Sequence, residues 1–154
     1  YLIGENSGIF VLSKFPIKYN KFTSFENQLN FPDNVCLRGV LYLTINKFNF
    51  AITQCPYYKI NDVTNCINVI KNQAPFDEYI VCGSLQIPDA QCNFNVKQNN
   101  TQSTNKKNTI SDYLLSLYNR FHIIAIVKEI TDNYVSYNFP VIGFIKEDLI
   151  FNNL

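Results

Sequence analysis

The 154-residue sequence has no tryptophan, no methionine and a single histidine, His122. With no methionine even at position 1, a chain opening on Tyr1-Leu2-Ile3 is expected to be a processed product or a trimmed piece of a longer protein. One histidine, set in an apolar run, and no Cys-x-x-Cys pair leave a zinc centre without ligands at their usual spacing. Long apolar runs are missing too. None nears the ~18–20 residues of a membrane span, so no transmembrane segment is expected. Charge is scarce: Asp, Glu, Lys and Arg make up 16% of the chain and the net charge is +1. No global field then favours a nucleic acid, and no nucleic-acid partner is expected.

Apolar content is what the chain does have. Hydrophobic residues make up 47%, and the aromatic 15% is all Phe and Tyr, a composition that folds rather than stays disordered. The length suits one domain with a real core. Five cysteines (Cys36, Cys55, Cys66, Cys82 and Cys92) allow two readings. They are buried thiols acting as small apolar residues, or they form two disulfides with one left over in an oxidising compartment. Asn99-Asn100-Thr101 forms a glycosylation sequon. Together these features give the expectation of a secreted or lumenal protein.

Along the chain, residues 7–17 read as a strand stopped by Pro16, and residues 20–34 as a loop. Residues 39–45 and 48–55 are β-rich runs joined by Asn46-Lys47, a hairpin signature without the usual glycine. Within residues 61–73, Val63, Cys66, Ile67 and Ile70 recur at helical spacing, and Pro75 closes that helix. Residues 78–85 form a short buried strand ending at Gly83. Residues 91–108 are a polar Asn/Gln/Lys/Thr-rich surface loop. Residues 111–118 suit either a strand or a short helix, whereas 121–130 and 139–145 are strands. Strands separated by one good helix predict a mixed α/β domain.

In this order the segments resemble the endonuclease/exonuclease/phosphatase superfamily, and within it the neutral sphingomyelinases. Ser7-Gly8-Ile9-Phe10-Val11-Leu12-Ser13-Lys14-Phe15-Pro16-Ile17 is similar to a family strand. Phe31-Pro32-Asp33-Asn34 with Arg38-Gly39-Val40-Leu41-Tyr42 looks like a segment of the sphingomyelinase branch. The family's Thr-His-Leu matches Thr53-Gln54-Cys55, and its Gly-Asp-x-Asn matches Gly83-Ser84-Leu85-Gln86. The Asp-Tyr-Ile strand matches Asp112-Tyr113-Leu114. Ser-Asp-His-x-Pro-Val matches Ser136-Tyr137-Asn138-Phe139-Pro140-Val141. The resemblance implies a mixed-sheet α/β sandwich of the DNase I-like type. Residues 1–154 would form one partial domain, the C-terminal half of that fold.

Phosphodiester hydrolysis in that family needs a divalent metal, an activated water and neutralisation of transition-state charge. Mg²⁺ asks for hard oxygen ligands, and a general base is most often histidine. By the resemblance, Gln54, Ser84, Gln86, Tyr137 and Asn138 stand where the family has its reactive groups, and Asp112 keeps its carboxylate. The expectation is a non-enzyme with no catalytic residue, no metal and no cofactor: a pseudoenzyme acting as a structural or interaction component of a protein complex. Its partner would be another protein or the missing N-terminal half. An alternative is a module that binds a phosphate, a lipid headgroup or a membrane through the old cleft. Others are a residual phosphodiesterase completed by a missing half, and a rearranged enzyme using His122, Asp112 and Asp89.

Overall fold

The computed structural model describes residues 8–25, 37–55, 60–85, 112–116, 121–126 and 141–145. Five strands make one sheet in chain order: β1 (Ile17–Ser24), β2 (Gly39–Ile45), β3 (Phe48–Gln54), β4 (Ile80–Ser84) and β5 (Asp112–Ser116). Helix α1 (Ile60–Asn72) connects β3 to β4. Strands β6 (Phe121–Ile126) and β7 (Val141–Ile145) pair antiparallel in a second sheet. The β3–β4 pair is parallel and its neighbours are antiparallel, so the sheet is mixed, as the resemblance implies.

The pairing of β2 with β3 sets Val40, Tyr42, Ala51 and Thr53 on one face and Leu41, Leu43, Phe50 and Ile52 on the other, because successive side chains point to opposite faces. Their turn is tight. Asn46 takes φ +56°, a left-handed conformation that asparagine tolerates better than most side chains. Thr44 Oγ1 donates to Asn49 Oδ1 at 2.9 Å, and Asn49 Nδ2 donates to the Glu78 carbonyl at 3.1 Å. The hairpin is thereby tied to the approach to β4.

Helix α1 forms over the expected residues. Its buried stripe is Val63, Cys66, Ile67 and Ile70, at i, i+3, i+4 and i+7, the spacing of one helical face. Lys71 sits in the last turn, where a cation favours the helix dipole. That stripe packs with Val40, Tyr42, Ala51 and Val81 of the sheet, and with Phe25, Cys55, Tyr79 and Leu85. Each large apolar side chain so buried contributes about 1.5–3 kcal/mol. Tyr19 and Phe76 extend the cluster edge to face, with ring centroids 5.3 Å apart. The opposite sheet face carries Leu41, Leu43, Phe50, Ile52, Ile80 and Cys82, which the ladders place in adjoining rows.

Two expectations are corrected. The first strand is Ile17–Ser24 rather than residues 7–17, so it occupies part of the stretch expected to be a loop. As an edge strand of mostly exposed residues, β1 lacks the apolar alternation that marks a buried one. Residues 8–16 lie outside the described ladders. For residues 111–118 the strand alternative holds, as β5. The 91–108 loop falls outside the described residues. Cys55, Cys66 and Cys82 are thiols rather than disulfides. No helix among the described residues is long and apolar enough to cross a membrane.

Candidate functional site

Strands β3 and β4 run parallel and finish level with one another, so their last residues, Gln54 and Ser84, are register partners. Antiparallel β5 brings the backbone of Asp112 opposite Ser84. Three positions far apart in the sequence thus share one row at one edge of the sheet. The main chain continues the pairing beyond the ladder, where the Cys55 N–H donates to the Ser84 carbonyl at 2.8 Å.

One step back from the edge, Thr53 pairs with Gly83. Buried Thr53 donates its hydroxyl to the Gly39 carbonyl at 2.9 Å, fixing β3 against β2. Gly83 has φ +129°, and a Cβ there would collide with the Thr53 carbonyl. Only glycine combines that backbone with so close an approach. Gly8, at φ +70°, comes over the same edge, and a Cβ on it would stand 3.0 Å from Gln54 Oε1. Its bare backbone leaves room for the Gln54 amide.

These residues surround an open cavity of about 240 Å³. Gly8, Ile9 and Phe10 line it from the N-terminal segment, Ile52, Thr53 and Gln54 from β3, and Gly83 and Ser84 from β4. Gln54 is exposed and Ser84 is buried. Among the described residues the lining side chains are neutral: an amide that donates and accepts, hydroxyls that do the same, and apolar walls. Cys82, beside Gly83, is no nucleophile at neutral pH, because burial pushes its thiol up to about 12.

Of the six positions singled out in the sequence, Gln54, Ser84 and Asp112 are brought together. Gln86, Tyr137 and Asn138 lie outside the described residues, as does Asp89. His122 falls in β6, where the ladder shifts register between Phe121 and Ile123. Sequence reasoning treated Gly8, Ile9 and Phe10 as strand and missed them as cavity walls. The available signal was Gly8 itself, a glycine heading an apolar run. The lining side chains among the described residues include no carboxylate and do not by themselves fit Mg²⁺. Among the described residues, no cluster of three or more His, Cys, Asp or Glu suits a metal ion.

No family model and no curated protein matches the chain. A solved structure does: the crystal structure of SmcL, a bacterial sphingomyelinase of DNase I-like fold, at TM-score 0.59 and 18% identity. The match covers 93% of this chain and 71% of SmcL. The expectation of a non-enzyme is overturned here. The matching structure is an enzyme, and no observation shows that catalysis has been lost. What the chain shares with SmcL is the fold, a DNase I-like α/β architecture.

Proposed function

We propose that this chain binds a phosphate-bearing headgroup in the cavity at the ends of β3 and β4. The observation that carries the reading is the convergence of Gln54, Ser84 and the bare backbones of Gly8 and Gly83 on one cavity. It lies at the carboxyl ends of a parallel strand pair, where open α/β sheets commonly hold their ligands. Phosphate oxygens accept hydrogen bonds from amide and hydroxyl donors. The two glycines let Gly8 close on Gln54 and β4 close on Thr53, which shapes the cavity wall. Neutral hydrogen bonds contribute about 0.5–1.5 kcal/mol each, so affinity on the order of millimolar is expected for an isolated headgroup.

The apolar character of both sheet faces supports a finer architectural reading. Helix α1 covers one face, and a second layer over Leu41, Phe50 and Ile52 would complete a sandwich of which this chain supplies the C-terminal half.

Amide NMR during titration with phosphocholine, and separately with inorganic phosphate, tests the binding reading. Saturable shifts at Gly8, Gln54, Gly83 and Ser84 are expected, and Gln54→Ala should weaken binding about five- to tenfold. Undiminished affinity in that variant, or no shift at these amides, rules the reading out. Turnover of a phosphodiester that is lost in Gln54→Ala would replace binding by catalysis.

A further inference from the structure

The segment from Ile9 to Ser13 differs from the other apolar stretches among the described residues. Ile9 and Val11 are partly buried, whereas Phe10 is 81% and Leu12 is 84% exposed. Burial that alternates every second residue is the signature of a β-strand. Yet Phe10, Val11 and Leu12 belong to no described ladder. Aromatic, branched and uncharged, the run has the composition of a strand apolar on both faces.

The edge strand β1 makes the contrast plain. It carries exposed Lys18 and Lys21, and its register shifts between Ile17 and Tyr19. Charge and irregularity of that kind discourage further pairing. Residues 9–13 have neither device. The main-chain donors and acceptors of Phe10, Val11 and Leu12 match those of a polypeptide strand and have no counterpart on an acyl chain.

Charge narrows the partner further. Lys14, Lys18 and Lys21 are all exposed, and residues 8–25 contain no Asp or Glu. A second copy would set lysines against lysines. We propose that residues 10–12 form a strand-addition site for a strand of another polypeptide chain, apolar in alternation and flanked by acidic residues. Pairing would satisfy the main chain, cover Phe10 and Leu12, and bring carboxylates to the lysines. The inference does not rest on the headgroup reading, although Phe10 borders both sites.

The test uses a labelled peptide of alternating valine and threonine preceded by glutamates, and the same peptide with lysines in their place. Fluorescence anisotropy should show saturable binding of the acidic peptide and at least about tenfold weaker binding of the basic one. Hydrogen exchange at Phe10, Val11 and Leu12 should slow in the complex. Leu12→Asp should abolish binding of the acidic peptide while leaving phosphocholine shifts and thermal melting unchanged, separating this site from the cavity. Equal binding of both peptides, or no slowed exchange at these amides, overturns the proposal. So does self-association that buries Leu12, or protection of the same amides by phosphatidylserine vesicles alone.

Discussion

The hydroxyl of Tyr42, on β2, donates a 2.9 Å hydrogen bond to the main-chain carbonyl of Ile70, in the last turn of α1. Carbonyls in a final turn have no partner within their own helix. Here a side chain from the sheet supplies one and fixes where the helix sits. Tyr42→Phe keeps the ring and removes the donor, leaving a buried carbonyl unsatisfied. A loss of about 1–2 kcal/mol is expected. It should be read as a lower urea midpoint with an unchanged slope.

Gly83→Ala should cost more, at least about 2 kcal/mol. The new methyl group collides with the Thr53 carbonyl, and the φ of +129° suits no L side chain. The neighbouring strand is the obstacle, so relaxation means prising β3 from β4. Melting temperature should fall by several degrees, and amide shifts should concentrate at Thr53, Gln54 and Ser84.

Alkaline conditions should destabilise the fold. Burial raises the Cys82 thiol from 9.0 to about 12, and raises the Tyr79 hydroxyl above its usual 10.0. For Tyr42, burial and then the neighbouring Tyr79 and Tyr19 push in the same direction. The unfolded chain therefore loses these protons first. The native state binds more protons throughout that interval, so stability falls as pH rises. The contribution is whole below 9.0, erodes from there through 10.0, and continues to fall toward about 12. Denaturant midpoints measured across the interval should decline, and Cys82→Ala should remove the earliest part of the decline.

At the hairpin, Asn46→Gly should be tolerated within a few tenths of a kcal/mol. Asn46→Ala should cost about 1 kcal/mol, because alanine pays more for φ +56°. Equal melting temperatures for the two variants would show that the turn is not held in the left-handed region.

The hairpin was legible as two β-rich runs on either side of Asn46-Lys47, and α1 because Val63, Cys66, Ile67 and Ile70 recur at helical spacing. Strand β1 was not, since an edge strand buries little and its IKYNKFTS sequence carries no apolar alternation. Gln54, Ser84 and Asp112 were each found as positions in the chain. Their meeting in one row depends on strand order and register, which no local pattern encodes. Phe10 was hidden for the opposite reason. An apolar residue in an apolar run signals core, and only the fold shows it exposed beside a cavity.

The parallel β3–β4 pair also dictates an order of events in time. The β2–β3 hairpin closes through a two-residue turn, on the microsecond scale of local contacts. Gln54 and Ser84 meet only after the whole of α1 has formed and crossed back over the sheet, a slower, non-local closure. The cavity is thus a late product of folding. Contacts made at its rim, by a bound headgroup or by an engineered side chain, should slow unfolding and leave the folding rate nearly unchanged.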